Sequence, residues 1–274
     1  MPAYEYDHRE GIVALDEVGL HYLEWGEAGT GRDALIIHGI MGMGIRWDLF
    51  ARSLMDDFHV VAPDLRGHGH SARADSYKID DYAGDMEQLI QRLGLKNPIV
   101  VGHSLGGAIA MRLLGSQELP FAKLVIVDMG AEMPATRLRD VMDEWRDARR
   151  EWDDYEEVVA DVAANRLPVP EIENPEEYVF NHFEWTADGN LRERIDPDIF
   201  TLDSWTLWEE IRRIQIPSLL LRGEHSETLT RETAARMVEE MPDLRLVEMP
   251  GTDHSLQVED PENFNRIAGD FLRA

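Results

Sequence analysis

The stretch from Pro98 to Leu114 leaves the chain little choice of fold. Pro98-Ile99-Val100-Val101 is a short apolar run of the kind found in buried strands. Gly107-Ala108-Ile109-Ala110-Met111-Arg112-Leu113-Leu114 reads as a helix. Between them lies Gly102-His103-Ser104-Leu105-Gly106, a Gly-x-Ser-x-Gly turn with serine at its apex. The two glycines remove side chains that would collide where strand and helix pass close together. A turn of this kind lifts the Ser104 hydroxyl clear of a sheet. It also leaves the Leu105 N–H at a helix N-terminus, where negative charge is favoured.

The five-residue pattern arises by chance in roughly one chain in ten of this length, so its surroundings matter. His38-Gly39 follows Ala34-Leu35-Ile36-Ile37 and opens a loop holding Gly42 and Gly44. Asp64-Leu65-Arg66-Gly67-His68-Gly69-His70-Ser71 follows Val60-Val61-Ala62-Pro63. Gly251-Thr252-Asp253-His254 follows the apolar stretch Leu244 to Met249. In this order the four motifs resemble the α/β-hydrolase family over nearly the whole chain.

Alternating strands and helices predict an α/β fold, with a mostly parallel sheet of about eight strands and helices on both faces. Strands are expected within 12–25, 34–38, 58–63, 98–102, 123–128, 216–222 and 244–249. Helices are expected over 47–54, 79–93, 105–116, 230–241 and from Pro261. The alternation breaks after Asp128. Residues 132–210 are rich in acidic residues and aromatics, among them Trp145, Trp152, Tyr155, Tyr178, Phe180, Phe183, Trp185, Phe200, Trp205 and Trp208. They read as several helices without a strand. The resemblance makes this stretch a helical cap over the ligand crevice, with 1–131 and 211–274 forming the core.

Composition narrows the functions. The chain has 274 residues, 27 basic against 54 acidic, and a formal charge of −27. That surface repels nucleic acid and anionic membranes and fits a soluble protein. There is no cysteine, which excludes disulfides and a cysteine nucleophile. The first residues show no secretory signal and no apolar run is long enough to span a bilayer, so a cytoplasmic protein is expected.

Ser104 is the candidate nucleophile, because a serine hydroxyl becomes reactive once a base takes its proton. The resemblance places the base at His254. The third member is open. The family's usual aspartate position is Ser226, and some relatives carry the acid one place later. The chain looks like that variant, with Glu227 in the acid's role. Asp128, at the end of the strand after the nucleophile helix, is the rival, and Glu224 is a further candidate. The resemblance implies an oxyanion hole from the Ile40 and Leu105 N–H groups. Met41 and Trp47 are candidate pocket residues that read equally well as core. Arg46 can meet a substrate carboxylate, though its first reading is a solvated or paired arginine. His103 reads as structural, and His68 and His70 as part of a structural turn, not a metal site.

The resemblance implies a serine hydrolase of carboxylic esters or lactones, working through an acyl-enzyme with no cofactor or metal. Its partner would be a small-molecule substrate, and its state monomer or homodimer. Two alternatives remain: a C–C bond hydrolase of vinylogous diketones on the same triad, and a catalytically weak ligand receptor on the hydrolase scaffold. An aspartate-based dehalogenase or epoxide hydrolase is disfavoured by serine at position 104.

Overall fold

The computed structural model describes residues 7–29, 31–116, 118–147, 151–165 and 175–274. Its centre is an eight-stranded sheet. The strands are β1 (Arg9–Ala14), β2 (Gly19–Trp25), β3 (Asp33–Ile37), β4 (His59–Pro63), β5 (Ile99–His103), β6 (Leu124–Val127), β7 (Ser218–Gly223) and β8 (Leu244–Met249). They lie in the order β1-β2-β4-β3-β5-β6-β7-β8. β2 is antiparallel to both of its neighbours, and every pairing from β4 across to β8 is parallel.

Side chains on a strand alternate between faces, and here both faces are covered. Leu35, Ile37, Val100, Ile126 and Leu220 point to one core. There they meet α2 (Ile79–Leu93), α3 (Leu105–Ser116) and a helix at Arg231–Glu240. Ile36, Val101, Val125, Leu219 and Leu221 point to the other. That side is closed by α1 (Asp48–Leu54) and by the C-terminal helix Pro261–Arg273. Buried strands flanked on both sides read as apolar runs without alternation, as the sequence of β3 to β7 does. The α2 helix stops where Gly94 turns left-handed at φ 68°.

Strand order fixes where a site can form. β3 connects outward to β4, whereas β5 and β6 lie on the other side of β3. The loops leaving β3 and β5 therefore diverge at their C-terminal ends and open a crevice. The Ile37 to Gly102 register brings the His38-Gly39 loop beside the Ser104 turn.

The segment between β6 and β7 corrects one expectation: it is not helices alone. α4 (Ala135–Asp147), α5 (Tyr155–Asn165) and α6 (Pro175–His182) are present. So is a three-stranded sheet of Glu151–Trp152, Leu191–Glu193 and Phe183–Trp185. Glu132–Met133 also pairs with Trp205–Thr206. Strands of two or three residues are too short to show a period in sequence. One signal was nevertheless available. Asp188-Gly189 forms the hairpin turn between two of these strands, with Gly189 at φ 87°. Trp152, Val158, Tyr178, Phe183 and Leu191 give the segment its own small core. Residues 148–150 and 166–174 of this stretch, and the side chains of Trp145 and Phe180, lie outside the described residues.

Candidate active site

The turn after β5 carries Ser104, the candidate nucleophile. Ser104 has φ 52°, a left-handed conformation rare for a residue with a side chain. The turn is held by Ser104 N–H to the Val127 oxygen at 3.0 Å and by Gly107 N–H to the Ser104 oxygen at 2.8 Å. Both flanking glycines are sterically required. A Cβ on Gly102 would come 2.3 Å from the Gly106 oxygen, and one on Gly106 would come 2.2 Å from the Ile37 oxygen.

The acid facing His254 is Asp128, not Glu227. His254 Nδ1 lies 2.8 Å from Asp128 Oδ2. The same carboxylate accepts Ser226 Oγ–H at 2.5 Å and the Gly223 N–H at 3.1 Å. Asp128 is fully buried at the end of β6 with φ 50°. The reason lies in the loop after β7. It turns back on itself through Ser226 N–H to the Gly223 oxygen. Ser226 is thereby buried against Asp128, and the next side chain, Glu227, faces solvent. Glu224 is engaged elsewhere, accepting the Gly251 N–H at 2.8 Å. Ser226, at the family's customary acid position, thus donates to an acid supplied by the neighbouring strand.

His103 lies under this pair. Its Nε2–H donates to the His254 carbonyl oxygen at 2.9 Å, and the two rings are 4.8 Å apart. Burial and the nearby His254 push its pKa well below the usual value, so it stays neutral.

The loop after β3 is pinned by histidines. His38 Nδ1–H donates to the Gly39 oxygen at 2.7 Å, and its Nε2 accepts the Leu65 N–H at 2.9 Å. That pattern requires a neutral ring, and burial accordingly lowers its pKa to about 3. The Gly39 oxygen also accepts the Gly42 N–H at 2.8 Å. A peptide unit is planar, so fixing this oxygen fixes the direction of the Ile40 N–H on the same unit. His68 Nε2 lies 2.7 Å from the Ile40 carbonyl oxygen and holds the following peptide. Asp64 completes the frame. It accepts the Gly44 N–H at 2.8 Å, the His70 N–H at 2.9 Å and His21 Nδ1–H at 2.9 Å. Burial works to raise its pKa, but these donors prevail and hold it at about 2.

Ser104 and His254 share a cavity of about 180 Å³ with Ile40 and Leu105. Met133, Leu138, Met142 and Trp205 from the segment after β6 line the same space, as does Arg137. Trp205 is among the aromatics the sequence pointed to in this segment, but Met133, Arg137, Leu138 and Met142 were not singled out, although Leu138 and Met142 have the i, i+4 spacing of one helix face. The expected pocket residues lie elsewhere. Trp47 is 2 % exposed and packs with Phe50 and Phe264 in a core. Met41 packs against the other core. Arg46 does not line the cavity, but its charge helps to depress the pKa of both His38 and His103.

A model of the family described as "Alpha/beta hydrolase family" matches residues 34–267. The chain belongs to the α/β-hydrolase family. Among its relatives, a 3-hydroxybutyrate-oligomer hydrolase of Cupriavidus necator is 29 % identical, with 91 % of this chain and 92 % of that protein covered. A bifunctional esterase/perhydrolase of Acinetobacter calcoaceticus is 27 % identical, covering 96 % and 99 %. The crystal structure of E-2-(acetamidomethylene)succinate hydrolase has a TM-score of 0.84 at 24 % identity, covering 97 % of this chain and all of that one. A Mycobacterium tuberculosis esterase structure has a TM-score of 0.78 at 23 % identity, covering 97 % and 92 %. At such identities the structural likeness speaks for the fold of this α/β-hydrolase. Among its described residues, no helix is long and apolar enough to cross a membrane.

Proposed function

We propose that this α/β-hydrolase cleaves carboxylic esters, lactones included, through an acyl-enzyme on Ser104. The observation that carries the reading is the 2.8 Å contact between His254 and buried Asp128, in the cavity that also holds Ser104. His254 Nε2 takes the proton as Ser104 Oγ attacks the ester carbonyl. Asp128 keeps the ring in the tautomer with its proton on Nδ1 and stabilises the imidazolium that forms. The Ile40 and Leu105 N–H groups receive the oxyanion, and the imidazolium protonates the leaving alcohol. Water activated by the same ring then releases the acid. Electrostatic stabilisation by pre-positioned donors contributes about 3–4 kcal/mol per donor in such sites, and the pinned Gly39–Ile40 peptide suits that role. The relatives named for an oligomer of 3-hydroxybutyrate and for esterase activity support the ester assignment. In this reading residues 132–210 form a cap that closes the cavity.

Active-site labelling with a fluorophosphonate, read by intact mass and peptide mapping, tests the proposal. The expected result is one adduct, on Ser104, abolished in Ser104→Ala and His254→Ala. Folded protein that takes no adduct would overturn it.

A further inference from the structure

Arg137 is the structure's unassigned charge at the reaction cavity. It sits in the first turn of α4 and lines the same space as Ser104 and His254. Its Nη2–H donates to the backbone oxygen of Glu227 in the loop after β7. That single bond fixes the guanidinium at the cavity and leaves further donors on a planar, five-donor group.

Its place at the cavity beside Ser104 and His254 sets it apart from the other arginines. Many of the arginines meet carboxylates, among them Arg66 with Asp85, Arg112 with Asp80 and Arg222 with Glu248. With 54 acidic residues against 27 basic, a carboxylate partner is easy to supply. Among the described residues, Arg137 makes no ion pair. The wall beside it is apolar, formed by Met129, Met133, Leu138, Met142, Leu202 and Trp205. The Arg137 side chain is partly exposed at the edge of this wall, and an anion in its fork against an apolar surface is favoured more than it would be in bulk water. The overall negative field works against anionic ligands at long range, which makes a local cation the more necessary if the ligand is an anion.

We infer that Arg137 is a specificity-determining residue that receives a substrate carboxylate, so that the preferred substrates are esters carrying a free carboxylate. This rests on the reading that Ser104 is the acylated nucleophile. The matching geometry is bidentate, two N–H groups to two carboxylate oxygens. A lysine, with a point charge and no fork, reproduces it only in part.

The test compares kcat/KM for the monomethyl esters of succinate, glutarate and adipate with those of the corresponding methyl ester amides, in which a neutral CONH2 replaces the carboxylate. The wild type is expected to favour the half-ester at least tenfold at one or more chain lengths. Arg137→Gln is expected to shrink that ratio at least tenfold, and Arg137→Lys to restore part of it. Equal or better turnover of the amides at every length overturns the inference, as does a preference that survives Arg137→Gln. A wild-type measurement covers the case of a poorly folding variant: free glutarate should slow fluorophosphonate labelling of Ser104, and glutaramide should not. Equal protection by both overturns the inference. If Ser104 labels but neither ester class is turned over, the carboxylate inference fails and the nucleophile stands. If Ser104 does not label at all, the underlying reading fails with it.

Discussion

Asp128 accepts three hydrogen bonds in a fully buried position, and each donor has a different task. The His254 ring needs a charged acceptor, whereas Ser226 and Gly223 need only an oxygen. Asp128→Asn would put an amide against Nδ1 and favour the wrong tautomer. We expect it to lower kcat on an ester substrate by about 10^4-fold, while Glu227→Gln stays within about twofold of wild type. Steady-state kinetics on both variants, with thermal melts to confirm folding, checks this. A large loss in Glu227→Gln would restore the assignment suggested by sequence. Asp128 rather than Glu227 lies against His254 for a local reason. Two acidic residues, 128 and 227, both follow strands whose ends border the crevice. Which one turns inward depends on the Ser226 to Gly223 backbone bond, and no period or motif in the sequence reports it. That Ser104 and His254 line one cavity was easier to anticipate, because the glycines of their turns stand beside them in the sequence.

Asp64 ties the loop after β3, the turn after β4 and His21 on β2 into one frame. Its stability contribution depends on pH, with opposite signs at the two ends. The Asp64 pKa is held at about 2 against a usual 3.8, so its contribution is present above 3.8 and lost as pH falls toward 2. Burial lowers the His21 pKa, but contact with Asp64 and Glu10 raises it overall above 6.5. That contribution is complete below 6.5 and lost as pH rises through the folded value. Between these limits, from about pH 4 to 6.5, the pair contributes most, about 2 kcal/mol on the Asp64 side. We therefore expect the Tm difference between wild type and Asp64→Asn to peak in that range and to narrow on both sides in a melt series. At this level the sequence was legible wherever strands ran through a buried sheet, since uninterrupted apolar runs bounded by turns mark them. It was poorly legible after Asp128. There short strands such as Phe183–Trp185 take their stability from packing with Trp152 and Tyr178 rather than from local pattern.

The charge of −27 acts on the protein as a body. Self-repulsion disfavours the compact state, while surface pairs such as Arg9 with Glu24 favour it modestly. Salt weakens both, and their signs oppose. With an excess of 27 acidic residues repulsion should dominate. Raising NaCl from about 0.01 M to 0.15 M shortens the screening length from about 30 to 8 Å. The expected result is a higher Tm, roughly 2–4 °C for each kcal/mol of relieved repulsion, read by scanning fluorimetry. A lower Tm would mean that the pairs outweigh the repulsion.

The segment of residues 132–210 falls between β6 and β7, and this divides the groups of the proposed mechanism in a particular way. Ser104, Asp128 and the Ile40 loop precede it in the chain, and His254 follows it. Under the proposed mechanism, two polypeptides separated within that segment would each be chemically inert. Nucleophile, acid and oxyanion donors would travel on one piece and the proton carrier on the other. They would regain a working set only by rejoining along the Leu124–Val127 and Ser218–Leu221 ladder. The arrangement is thus a ready-made two-part complementation system, in which turnover reports that one strand edge has found its neighbour.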